Sequence, residues 1–149
     1  MAKTIEILVG TTAGNTEFLA SELENELKQT GFQTRFHDLP SLAEVAHDQP
    51  WLICIATHGA GEYAESIAAF MEHLATQQPN LHAIQYAIVA VGDSSYDTFC
   101  KAGTDADTLL KFLGAKPVTE LLTIDMMLDP EPERTAKEWL KKFTQVFHS

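Results

Sequence analysis

The 149-residue sequence is poor in basic residues: 10 Lys and Arg stand against 21 Asp and Glu, a formal net charge of −11. Nucleic acid is therefore excluded as a partner, because its phosphates require basic patches. Cysteine is also scarce, since Cys54 and Cys100 form no C-x-x-C pair and predict free thiols in a reducing cytoplasm. No apolar run approaches the roughly 20 residues that span a bilayer, so no membrane segment is expected.

The sequence also has no cluster of the kind that performs chemistry alone. No spacing of His, Cys and Asp is typical of a metal site. No pair of residues suggests a general acid and base, and no segment suggests a substrate pocket. We therefore expect neither a metal ion nor a catalytic residue.

A polar loop lies between a predicted strand and a predicted helix near the start of the chain. Residues 4–9 are rich in β-branched side chains and predict a buried strand, and residues 10–16 follow with the sequence GTTAGNT. A loop of this kind presents unpaired N–H groups at the positive end of a helix dipole, which favours a phosphate. It has neither the Lys-Ser/Thr pair of a nucleoside triphosphate loop nor the G-x-G-x-x-G dinucleotide pattern. We expect it to hold one terminal phosphate through neutral donors; a Thr-capped helix start is the alternative.

Strands and helices alternate five times along the chain. The continuous apolar runs 51–56 and 86–91 predict central parallel strands that are buried on both faces. Residues 32–36 and 118–124 predict two more strands, the last of them unbroken. Right-handed helical crossovers between parallel strands give a three-layer α/β sandwich, expected as one domain over residues 1–149.

Two further loops follow the third and fourth strands, at the carboxyl edge where such sheets bind ligands. Residues 57–63, THGAGEY, contain two glycines that permit close approach of the backbone to a ligand. Residues 92–100, GDSSYDTFC, offer the aromatic face of Tyr96 beside a turn. Together with the phosphate loop they predict a site for a phosphorylated planar cofactor, which these residues alone do not name.

These three loops resemble those of the flavodoxin family. Residues 10–17 resemble its phosphate loop, residues 92–100 its second flavin loop, and residues 57–62 its first flavin loop in the form found in diflavin reductases. The resemblance covers the whole chain, and residues 124–133 are most similar to short-chain flavodoxin-like proteins of the MioC and YqcA type. It implies a flavodoxin-like sandwich with a five-stranded parallel sheet in the order 2-1-3-4-5, with FMN as the cofactor.

The resemblance also implies which residues bind FMN. The first loop would hold the phosphate, Tyr96 would stack on the outer face of the isoalloxazine, and the backbone of the second flavin loop would address the pyrimidine edge. The peptide between Gly59 and Ala60 would turn its carbonyl toward flavin N5 when the flavin takes up a proton on reduction. The predicted cofactor-binding residues are Thr11, Thr12, Ala13, Gly14, Asn15, Thr16, Thr57, His58, Gly59, Ala60, Gly61, Asp93, Ser94, Tyr96, Thr98, Phe99 and Cys100.

The implied function is a monomeric, non-enzymatic electron carrier. It would take single electrons from a basic-surfaced NADPH-dependent flavodoxin reductase and pass them to acceptor redox enzymes, and its acidic charge suits such encounters. An FMN-dependent quinone or NAD(P)H oxidoreductase of the same fold is the alternative, and a cofactor-free interaction domain is another. A response-regulator-like domain is excluded, because residues 9–11 and 123–125 lack its paired acids and its lysine.

One departure from the family pattern generates a test. Many flavodoxins have a Trp where His58 stands, so the inner face of the flavin would lose a large aromatic neighbour. Aromatic stacking contributes about 0.5–1.5 kcal/mol, and we expect His58→Trp to tighten FMN binding by about two- to tenfold. Quenching of flavin fluorescence measures this affinity. An unchanged or weaker affinity would contradict the expectation.

Overall fold

The computed structural model describes residues 4–11, 15–58, 62–92 and 100–147, apart from the side chains of Asn15 and His58. Strands and helices alternate along most of these residues, as the apolar patterns predict, but no helix separates the second strand from the third within the described residues. The elements are β1 (Thr4–Gly10), α1 (Asn15–Gln29), β2 (Gln33–His37), β3 (Trp51–His58), β4 (Glu62–Tyr63), α2 (Glu65–Gln77), β5 (Gln85–Gly92), α3 (Lys101–Phe112), β6 (Lys116–Pro117), β7 (Leu122–Asp125) and α4 (Pro132–Phe147).

The main sheet is parallel and has the strand order β2-β1-β3-β5-β6. Strand β7 pairs with β5 further along, so β6 and β7 are two pieces of one edge strand. The two-residue strand β4 pairs antiparallel with the end of β3. If the short strand β4 is left out, β5 is the fourth strand of the parallel sheet, and β6 and β7 together are the fifth. The order is then the predicted 2-1-3-4-5.

The prediction of an unbroken last strand over residues 118–124 is wrong. Val118 still donates its N–H to the carbonyl of Tyr86 at 2.9 Å, but β7 begins only at Leu122. Between them, the carbonyl of Glu120 accepts a hydrogen bond from the Trp139 indole at 3.0 Å. The Glu120 carboxylate pairs with the Lys142 ammonium, which lowers the pKa of Glu120 to about 2. Bonds to α4 thus replace sheet pairing over this segment.

The two central strands are buried on both faces, as predicted. Every side chain of residues 51–55 and 86–91 is at most 5% exposed. Successive side chains of a strand point to opposite faces, so each strand contributes to two cores. One core contains buried residues of α2 and α3, and the other contains those of α1 and α4.

One carboxylate interrupts the apolar residues of β1. Glu6 is fully buried, and its Oε1 accepts hydrogen bonds from Arg35 Nη1 at 3.1 Å and from the Ala46 N–H at 2.9 Å. His37 Nε2 lies 3.2 Å from the same oxygen. Within the described residues, Oε2 has no hydrogen-bond partner. These bonds attach β2 and the turn before Ala46 to β1.

Small residues let α3 pack closely against β5. A Cβ added at Gly103 would lie 2.3 Å from the Cβ of Ala90, far inside ordinary contact. Ala102 and Ala106 on the same helix are fully buried. The close contact fixes the first turn of α3 beside the end of the central sheet, where two of the predicted loops begin or end.

We expect Gly103→Ala to lower the free energy of unfolding by about 1–2 kcal/mol. Overpacking against the sheet costs about 1–3 kcal/mol, and the better helix propensity of Ala returns up to about 1 kcal/mol. Urea denaturation measures the change. Thr104→Ala is the matched control on the exposed side of the same turn, with an expected change within about 0.5 kcal/mol. A Gly103→Ala variant as stable as wild type would overturn the packing argument.

Candidate cofactor site

The three predicted cofactor loops start at the carboxyl ends of adjacent strands. Strand β1 ends at Gly10, β3 at His58 and β5 at Gly92, and β3 lies between the other two. The described residues therefore give the ends of the loops. The predicted site residues that lie outside them are Thr12, Ala13, Gly14, Gly59, Ala60, Gly61, Asp93, Ser94, Tyr96, Thr98 and Phe99.

The hydroxyl of Ser66 holds the start of the phosphate loop. Its Oγ accepts a hydrogen bond from the Thr11 N–H at 2.8 Å and donates one to the Val9 carbonyl at 2.9 Å. Both bonds depend on Gly10, because a Cβ there would lie 2.6 Å from Ile67 Cγ2. The glycine allows α2 to pack so close to β1 that the one serine hydroxyl bonds to the residues on both sides of Gly10. The direction in which the chain leaves the sheet is thereby fixed.

Helix α1 begins at Asn15, so the last two residues of the predicted phosphate loop form the start of the helix, and the loop leads directly into a helix N-terminus as the phosphate-site prediction requires. Thr16 in its first turn is 3% exposed. The helix has 15 residues, so its unpaired N-terminal N–H groups and its dipole favour an anion at this end. Because the predicted site contains no Lys or Arg, neutral donors would hold the phosphate, and this donor set fits a single phosphate monoester such as that of FMN.

Thr57, a predicted cofactor residue, joins the other two loops to each other. Its Oγ1 accepts a hydrogen bond from the Ala102 N–H at 3.0 Å. Thr57 is the first residue of the first flavin loop, and Ala102 follows the second flavin loop in the first turn of α3. The hydroxyl thus stabilises the α3 N-terminus and links the two loops through one bond.

Cys100, also a predicted site residue, ends the second flavin loop in a left-handed conformation with φ of 55°. Its Sγ donates a weak hydrogen bond to the Ala90 carbonyl at 3.4 Å, and the side chain is 2% exposed. Burial raises the pKa of this thiol to about 11. Cys100 is therefore uncharged at neutral pH and adds no negative charge beside a bound flavin.

Sequence reasoning missed the role of Ser66. Ser66 lies in the first turn of α2, where Ser is common as a residue type and carries no specific signal. Its two partners, Val9 in β1 and Thr11 just after that strand, lie 57 and 55 residues away in the chain. A second missed contact is the hydrogen bond from the Met126 N–H to the Gly92 carbonyl at 2.9 Å, which ties the end of β7 to the end of β5.

Comparison with known proteins defines the class. The family model described as flavodoxin matches residues 7–139. A protein named MioC homolog from Haemophilus influenzae is 34% identical over 139 residues, which cover 93% of this chain and 95% of that protein. Flavodoxin YqcA of Escherichia coli K12 is 34% identical over 144 residues, with coverage of 93% and 95%.

A solved structure agrees with these relatives. A cysteine-to-alanine mutant of a flavodoxin from Pseudomonas aeruginosa superposes with a TM-score of 0.88 at 27% identity, over 95% of this chain and 97% of that one. The chain belongs to the flavodoxin family. This confirms the resemblance drawn from the three loops, together with the expected class of FMN-binding electron-transfer protein. Among the helices of the described ranges, none is long and apolar enough to cross a membrane.

We expect Ser66→Ala to weaken FMN binding by about three- to tenfold. The variant loses two hydrogen bonds that fix the start of the phosphate loop, and each contributes about 0.5–1.5 kcal/mol. We expect part of this loss to reduce the free energy of FMN binding and the rest to reduce the stability of the fold. Fluorescence titration with FMN measures it. Thr76→Ala is the matched control, because that hydroxyl bonds only within the exposed end of the same helix. Equal FMN affinities for the two variants would contradict a role of Ser66 in the site.

Proposed function

We propose that this chain is an electron carrier that holds FMN noncovalently at the carboxyl edge of β1, β3 and β5. It receives single electrons from a basic-surfaced NADPH-dependent flavodoxin reductase and delivers them to acceptor redox enzymes. One observation carries the proposal: the ends of all three predicted loops meet at one sheet edge and are tied there by Ser66, Thr57 and the bond from Met126 to Gly92.

The residues proposed to hold FMN divide by the part of the cofactor they address. Side chains of the first loop, with the N–H groups of Ala13 and Gly14, bind the phosphate. Tyr96 covers the outer face of the ring, the loop that begins at His58 covers the inner face, and the backbone of the second flavin loop meets the pyrimidine edge. The bound FMN supplies the one-electron chemistry.

The hydrogen bonds at the ends of the loops lower the entropic cost of binding FMN. A loop that is ordered before the ligand arrives loses less conformational freedom on binding. Ser66 orders the phosphate loop at its start, and Thr57 and Gly103 order the helix that follows the second flavin loop. The described ends of the loops are thereby fixed before the ligand arrives, which favours binding.

The charge of the chain and the state of its cysteines suit a carrier that meets basic partners. Cys100 is the titratable residue of the predicted site whose side chain is described, and burial holds the pKa of its thiol near 11. At neutral pH it acts neither as a nucleophile nor as a base. The formal charge of −11 favours steered association with basic partners. Both cysteines are buried and free, which supports a cytoplasmic location.

FMN titration of the apo-protein, followed by stepwise anaerobic reduction, tests the proposal. We expect fluorescence quenching at micromolar or tighter affinity, two separable one-electron steps, and an affinity that added salt does not weaken, because the predicted site has no Lys or Arg. Riboflavin is the matched control ligand. It lacks the phosphate and should bind far more weakly.

Two outcomes would overturn the carrier proposal. If FMN does not bind, the cofactor-free interaction domain becomes the better interpretation. If the loaded protein alone oxidises NADPH steadily in the presence of a quinone, it is an FMN-dependent oxidoreductase. A carrier accepts electrons from NADPH only when a reductase is added.

A further inference from the structure

Four of the seven large apolar side chains that are exposed within the described residues belong to two segments beside the end of β5. Phe18, Met126, Met127 and Leu128 are 58%, 42%, 61% and 76% exposed. Phe18 stands in the first turns of α1, and the other three follow β7. Phe18 and Met126 line the same small cleft of about 110 Å³, together with residues of β5 and α4. We refer to these four side chains as the apolar ledge.

The turn that carries the apolar ledge is held in place by its own hydrogen bonds. The Met127 N–H donates to Asp125 Oδ1 at 3.0 Å, and the Leu128 N–H donates to the Asp125 carbonyl at 3.1 Å. Asp129 Oδ2 then accepts from Thr135 Oγ1 at 2.8 Å. A turn fixed in this way presents its apolar side chains to water instead of folding them inward. Exposing these side chains to water is unfavourable, so a second surface that covers them gains free energy by burying them.

The apolar ledge borders the proposed FMN site. Phe18 lies in the first turn of α1, two residues after the predicted phosphate loop ends at Thr16, and Val91, which lines the same cleft, is the residue before the end of β5. The Met126 N–H bonds directly to Gly92, where the second flavin loop starts. A protein that covers the apolar ledge therefore lies beside the ends of two of the loops proposed to hold FMN.

The charge around the apolar ledge selects its occupant. Residues 125–133 contain four acidic residues and no basic one, and Glu17 precedes Phe18. Arg134, the next basic residue, pairs with Glu131 at 3.3 Å and with Glu138 at 3.6 Å. A second copy of this chain would bring the same acidic rim against itself, which is unfavourable. A partner surface with an apolar patch surrounded by Lys and Arg would match both the apolar ledge and the acidic residues around it.

We infer that the apolar ledge is the docking site for the electron-donating reductase, whose contact surface has an apolar centre and a basic rim. The inference rests on the proposed electron-carrier function and adds the surface through which it operates. Met126 and Met127 suit this task, because unbranched, polarisable side chains adapt to the contours of a partner.

Stopped-flow reduction of the FMN-loaded protein by a purified NADPH-dependent flavodoxin reductase with a basic flavin edge tests the inference. The double variant Met127→Gln/Leu128→Gln should raise the reductase concentration needed for half-maximal rate by about tenfold. The limiting rate, the FMN affinity and the melting temperature should match wild type. The control variant Leu39→Gln/Phe112→Gln changes side chains that are 73% and 71% exposed outside the apolar ledge, and it should behave as wild type.

The outcomes separate this inference from the proposed function. If wild type binds FMN and is reduced, but the ledge variant behaves like the control variant, the docking site is elsewhere and the carrier proposal stands. If wild type binds no FMN or accepts no electrons from the reductase, the proposed function fails and the inference with it. Sedimentation that shows a wild-type dimer, lost in the ledge variant, would assign the apolar ledge to a second copy instead.

Discussion

The burial of β3 and β5 on both faces is the constraint on which the rest of the molecule depends. Their central residues, 51–55 and 86–91, are all buried and leave little room for polar chemistry inside the sheet. They also require a helical layer on each face, which α2 and α3 supply on one side and α1 and α4 on the other. Every loop that could carry a ligand is thereby pushed to the strand ends, and parallel pairing brings three of these ends together.

That constraint is visible in the sequence, so the central position of these strands and the edge at which the loops lie could be predicted from it, whereas the strand order was implied by the resemblance to flavodoxins. Runs such as 51–56 and 86–91 have no polar residue to place, so their position at the centre follows directly. The last strand could not be predicted in the same way. Whether residues 119–121 stay in the sheet depends on the Trp139 indole and the Lys142 ammonium, which reach Glu120 from a later helix.

The candidate site likewise has features that could be predicted from the sequence and features that could not. The loop composition predicted a phosphate and a planar ring, because glycines and hydroxyls report local backbone freedom and donors. The contacts that order the loops could not be predicted, since Ser66 and Thr57 act on residues distant in the chain. The exposure of Met126, Met127 and Leu128 was equally hidden, because apolar residues in a turn have no period that distinguishes a buried face from an open one.

The buried carboxylate of Glu6 bears on how the chain selects a single fold. In the observed pairing, Glu6 lies opposite Arg35 of the edge strand β2. A shift of that strand by one residue would reverse the faces of its side chains and separate Glu6 from Arg35 and His37. The misaligned sheet would then leave the buried Glu6 carboxylate without its two side-chain partners, which is destabilising. Glu6 thus helps to fix the register of β2 against β1 and disfavours misaligned pairings of the edge strand.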